Sequence, residues 1–118
     1  MNPNIAVVEA YLKALKEGDL SQAPLAENIQ REGPLVDSPV RGRANVERLI
    51  KPLFPVIKDL RVRRHVADGE WVATLYVITF VFVKLQIFEL FWVKDGLIQE
   101  ARAFFDPREM LEKMGTRD

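Results

Sequence analysis

Glu89 is the residue of this chain whose setting most plainly asks for chemistry. It stands in Lys84–Val93, KLQIFELFWV, between Phe88 and Leu90, and strict strand alternation groups it with Leu85, Ile87 and Phe91 on a face turned to a pocket. A carboxyl on such a face needs a partner. It is either a functional carboxyl, half of a structural pair with an arginine, or a group at the rim. Tyr11, in the segment VVEAYLKAL, is a second candidate, and its plain role is a helix aromatic packed on a sheet with its hydroxyl at the edge. His65 is the single histidine. With Leu60, Val62 and Val66 inward it alternates outward, to solvent or an interface. One histidine and no cysteine exclude a zinc or iron cluster and thiolate chemistry, and neither a metal nor another cofactor is expected. Arg61, Arg63 and Arg64 read as a solvated strand edge, since no aromatic residue is interleaved with them as a nucleic-acid patch would require.

The elements that must hold these groups are legible in the pattern. Ile5, Val8, Leu12 and Leu15 make one apolar stripe, so Asn4–Lys16 is expected to be a helix, entered at Pro3 and stopped at Gly18. Asp19 is the expected N-cap of a second short helix over Leu20–Ala26, and Ala44–Leu53 of a third, ended by Pro52 and Pro55. Between these helices Asn28–Glu32 reads as a short strand and Gly33–Arg43 as a loop. Four strands follow, Asp59–Ala67, Glu70–Val83, Lys84–Val93 and Leu97–Phe105, with turns at Asp68-Gly69 and Asp95-Gly96. Residues Pro107–Met114 complete the chain as a short covering helix. The expected fold is α+β: three N-terminal helices on one face of a curved antiparallel sheet, enclosing an apolar pocket.

Bulk properties narrow the partners. At 118 residues and 48% hydrophobic, the chain reads as one domain over 1–118 with a core that needs no disulfide. Seventeen basic and seventeen acidic residues leave a formal net charge of +0, so no global field attracts nucleic acid or an anionic membrane. The apolar window Trp71–Phe91 is interrupted by Lys84, Gln86 and Glu89 and is rich in strand formers, which excludes a helical membrane span. The first residues lack the features of a signal peptide, and a cytosolic location is expected. On the outer face Phe88, Leu90 and Trp92, with Phe104, are too apolar to be left in water, and a homodimer through that face is expected.

The segments AVVEAYLKALKEGDL, EGPLVDSPVRGRANVERL, DGEWVA and FELFWVKDGLIQEARAFFDP, in this order and spacing, resemble the SnoaL-like branch of the NTF2-like superfamily across nearly the whole chain. That resemblance implies a cone-shaped fold, but the superfamily holds isomerases, cyclases, dehydratases, epoxide hydrolases and proteins without catalysis. In limonene epoxide hydrolases an Asp on the last strand and an Arg and Asp on the middle strand hold water and epoxide. Those positions fall here on Ala103 and near Tyr76 and Ile78, so the hydrolase activity is not expected. Similarity to ketosteroid isomerases implies that Tyr11 and a neutral Glu89 form an oxyanion hole; the buried carboxylic acid of that enzyme is a standard example of the effect. The general base falls on Gly33, with Glu32 one residue away, and a bulge at Gly33 would bring Glu32 inward. Otherwise Arg31 faces the pocket, and Glu89 paired with it is ionised. The resemblance also places Ala101, Ala103 and Phe105 in the pocket wall, opposite Ile98, Arg102 and Phe104, with Arg31, Tyr76, Ile87 and Phe91 as further ligand-binding residues. Two functions remain open: cofactor-independent proton transfer on a small apolar carbonyl compound, with Tyr11, Glu89 and Glu32, or a noncatalytic site for a small apolar molecule.

Overall fold

A computed structural model of the chain describes residues 2–115. Helix α1 (Pro3–Glu17) begins where the Asn2 side chain accepts the Asn4 amide. It ends at Gly18, whose left-handed backbone (φ 73°) lets the amides of Gly18 and Asp19 close on the carbonyls of Leu15 and Ala14. The second helix expected over Leu20–Ala26 does not form. Asp19 caps a turn instead, its Oδ1 accepting the Ser21 amide, and Pro24 leads directly into strand β1 (Leu25–Glu32). From the stretch expected to be loop, β2 (Val40–Arg41) adds a short strand. Helix α2 (Arg43–Ile50) then runs into a 3-10 turn, Lys51–Val56, where Pro52 and Pro55 cannot donate α-helical hydrogen bonds. The helices among the described residues are therefore not all N-terminal: α1 opens the chain, α2 follows two strands, and α3 (Arg108–Gly115) closes it.

Strands β3 (Ile57–Asp68), β4 (Trp71–Phe80), β5 (Lys84–Lys94) and β6 (Leu97–Phe104) form the expected antiparallel meander. Asp95 and Gly96 both take positive φ (55° and 74°), the signature of the two-residue turn that matches strand twist. The sheet order is β2-β1-β6-β5-β4-β3, and β1 lies parallel to β6. No helix among the described residues is long and apolar enough to cross a membrane.

Register irregularities curve this sheet around α1 and reverse the facing of two residues. One lies between Val62 and Arg64 on β3. It turns His65 toward α1 instead of outward, with Nδ1 2.7 Å from Thr74 Oγ1 and Nε2 3.3 Å from Glu9 Oε2, and leaves Val66 59% exposed. A second, between Trp92 and Val93 opposite Gln99, buries Ile98 completely, whereas strict alternation would place it outside with Arg102 and Phe104.

Arg43 fastens the helical layer to the sheet. Its guanidinium donates to the carbonyls of Leu20 and Leu25 and to the Glu47 carboxylate, so one side chain holds the turn after α1, the start of β1 and the body of α2. We expect Arg43→Met to lower unfolding stability by about 2 kcal/mol, the scale of hydrogen bonds from a charged donor. Arg43→Lys should recover less than half of it in urea titrations, because a single nitrogen lacks the spread, planar fork that reaches the three acceptors at once.

Candidate active or binding site

The concave face of the sheet carries one row of side chains across four strands. In the ladder His65 on β3 faces Thr74 on β4, Thr74 faces Glu89 on β5, and Glu89 faces Ala103 on β6. On the far side of β6, Arg31 of β1 is registered with Ala101. Glu89 is fully buried. Its Oε2 accepts from Arg31 Nη1 at 2.6 Å and its Oε1 from the Tyr76 hydroxyl at 2.6 Å. The two bonds reach it from opposite sides of β5. Neighbouring strands stand about 4.8 Å apart, so Arg31 must span a whole strand to reach β5. Ala101 and Ala103 make that crossing feasible, since a longer side chain on the same face would occupy the path. The two alanines therefore leave room for an arginine of the protein itself.

The charges respond to this burial. Burial alone works against the Arg31 cation, and the Glu89 carboxylate more than offsets it, so Arg31 holds its proton more firmly than a free guanidinium. Burial, reinforced by Glu89, raises the Tyr76 phenol well above its ordinary value. Burial likewise raises Tyr11, with Arg31 opposing and Glu89 reinforcing the shift. Both phenols are proton-bearing groups at neutral pH.

A cavity of about 330 Å³ lies between the loop of residues 33–36, α2 with its following turn, and α3. It continues toward the sheet as a chamber of about 80 Å³ lined by Tyr11, Tyr76 and Ile87 among others. Arg31, Leu35, Ile50, Leu53, Phe105 and Met110 line both spaces, and among the described residues Arg31 is the sole charged one in the lining. The Tyr11 hydroxyl makes no hydrogen bond among the described residues, and neither do Arg31 Nε and Nη2. Among the described residues no fully buried side-chain nitrogen or oxygen lacks a partner, so these three donors are not sealed off, and the side chains that bear them both line the inner chamber.

The structure thus brings together Tyr11, Arg31, Tyr76, Ile87 and Phe105 of the residues singled out from sequence, with Glu89 directly behind them. Others stand elsewhere. Glu32 is on the convex face, its Oε2 2.7 Å from Arg102 Nε, because β1 stays in regular register with β6 at Arg31 and Glu32 and no bulge turns Glu32 inward. Phe91 is buried against Tyr11 with ring centroids 5.9 Å apart, and Ala101 and Ala103 are buried beneath the crossing arginine; none of the three is among the lining residues. The sequence reading missed the outer part of the cavity, lined by Leu35, Leu49, Leu53 and Met110 among others. Leu35, an apolar residue directly after Pro34 in a stretch expected to be loop, was its available signal. Among the described residues no group of His, Cys, Asp or Glu is arranged to hold a metal ion.

The sequence matches the limonene-1,2-epoxide hydrolase catalytic domain over residues 2–116. The chain belongs to that family. Its fold is that of the NTF2-like superfamily, as solved structures bear out. An NTF2-like protein of unknown function from Cytophaga hutchinsonii ATCC 33406 superposes with a TM-score of 0.79 at 21% identity, over 89% of this chain and 91% of that one. A candidate SnoaL-like polyketide cyclase from Jannaschia sp. CCS1 gives a TM-score of 0.80 at 14% identity, over 98% and 93%. A candidate ketosteroid isomerase from Kribbella flavida DSM 17836 gives 0.73 at 27% identity, over 86% and 76%. No curated protein matches the sequence at a significant level. This chain carries its buried carboxylate on β5 and the arginine paired with it on β1.

Ala103→Leu should break the Arg31–Glu89 contact and destabilise the fold by about 3–5 kcal/mol, the scale for stranding one member of a buried pair. Replacing both charges, Arg31→Met with Glu89→Leu, should restore most of that stability in the Ala103→Leu background. A thermal or chemical melt in which Ala103→Leu is as stable as wild type would show that the crossing does not depend on the alanines.

Proposed function

We propose that this chain is a cytosolic pocket protein that takes up a small, mostly apolar molecule with its one oxygen acceptor against Tyr11 and Arg31. The observation that carries the reading is Arg31, turned inward and bonded to Glu89 at 2.6 Å. With Glu89 Oε2 taken up by Arg31 and Oε1 by Tyr76, neither carboxyl oxygen is left to serve an oxyanion in the cavity, and Glu32, paired with Arg102, supplies no base to it. Apolar walls give the ligand its affinity, and the unspent donors of Tyr11 and Arg31 orient its polar end.

A second reading, proton transfer by an isomerase, cyclase or dehydratase, draws on the free Tyr11 hydroxyl beside a cation and on the candidate isomerase and cyclase among the structural neighbours. Titrating substituted naphthols into wild type, Tyr11→Phe and Arg31→Met separates the two. The binding reading expects measurable affinity that is flat from pH 7 to about 9 for a weakly acidic naphthol, because Tyr11 keeps its proton there. It also expects a loss of about fivefold in Tyr11→Phe and no dependence on naphthol acidity. Affinity that climbs steadily with naphthol acidity would favour the oxyanion site instead, and no binding at all would remove the pocket reading.

We also propose a homodimer through the convex face. Phe88 (45% exposed) and Phe104 (55%) are cross-strand partners there, beside Leu90 and Trp92. Light scattering at micromolar concentration should give twice the mass of one chain, and Phe88→Glu should halve it; a wild-type monomer would refute the interface.

A further inference from the structure

Resting on the pocket reading above, the geometry points to Glu89 as the residue that sets the charge selectivity of the cavity: we propose that Glu89, acting through Arg31, makes the site select neutral acceptors such as ketones, esters or amides and reject carboxylates. By contact alone the opposite would be expected, since among the described residues the sole charged side chain lining the cavity is an arginine. Glu89 is not among the lining residues, yet it lies 2.6 Å from Arg31 Nη1 and is wholly shielded from solvent. Coulomb attraction falls with distance, so an anion in contact with the free edge of Arg31, a few ångströms further from Glu89, has roughly half of the arginine's pull cancelled. What remains must offset the desolvation of a carboxylate in apolar surroundings, and the other facing groups, the Tyr11 and Tyr76 phenols, are neutral and carry no compensating charge. A neutral carbonyl oxygen meets the same donors, Arg31 Nε or Nη2 and the Tyr11 hydroxyl, without that cost. Glu89 is thus a positioning and selectivity residue. It touches no ligand, and it spends one side of the guanidinium so that only the other faces the cavity.

The test uses three probes of one shape, 2-acetylnaphthalene, 2-naphthoate and 2-naphthylmethylammonium, titrated at pH 7 into the intact protein. Wild type should bind the ketone about tenfold or more tightly than either ion. In Glu89→Gln the order of the first two should reverse, with naphthoate gaining about tenfold or more as Arg31 loses its counter-charge, a change that a merely structural glutamate would not cause. Wild-type protein that binds naphthoate as well as the ketone overturns the proposal whether or not the variant folds. A folded Glu89→Gln that keeps the wild-type order overturns the role of Glu89. Failure of all three probes to bind wild type instead removes the pocket reading on which the proposal stands.

Discussion

The buried carboxylate of Glu89 is the constraint around which the rest of this molecule is arranged. A fully enclosed charge is tolerated only with a counter-charge and with its lone pairs engaged, and here those partners come from two strands that flank β5 at different distances. Tyr76 is a neighbour on β4. Arg31 stands two strands away on β1, so β1 must lie beside β6 in a register that aims Arg31 across it, and β6 must be low where the side chain passes. The parallel docking of β1, the alanines of β6 and the inward aim of Arg31 are three aspects of one requirement. The cavity follows from it too, since the guanidinium that neutralises Glu89 also forms the polar end of an otherwise apolar space.

Much of the fold was legible because local chemistry and global structure agree. Asp95-Gly96 is the turn its two residues demand, Gly18 ends α1, and all four meander strands stand where β-prone runs are separated by turn residues. The misreadings have specific causes. Asp19 caps helices and Asx turns by the same hydrogen bond, and only Pro24 and the strand beyond it decide which. His65 and Ile98 were assigned to the wrong face because each lies just past a register irregularity, and one extra residue reverses an alternation that periodicity assumes to be unbroken.

At the site, the sequence marked Glu89 as a carboxyl that needs a partner, and named both an arginine pair and a ligand role. Choosing between them required knowing whether Arg31 or Glu32 faces inward, which a strand end beside a glycine does not reveal. The alanines carried an ambiguity of the same kind. Small residues on a concave face suggest space for a ligand, yet here the side chain of Arg31, from a strand not adjacent in sequence, reaches across that strand to Glu89. Membership of the epoxide hydrolase family does not settle the chemistry either, because one fold hosts many unrelated activities and function lies in the particular residues of a site.

The bond from Arg31 to Glu89 joins positions 58 apart in the chain, whereas each hairpin of the meander pairs near neighbours. Contacts within the meander close short loops, whereas this one closes a long loop whose entropy must be offset before the contact rewards it. Until β1, already paired with β2, also docks along β6, Glu89 has no cation, so a sheet that closed without β1 would have to bury an unpaired charge. The carboxylate thereby ties complete drying of the core to the arrival of one distant strand.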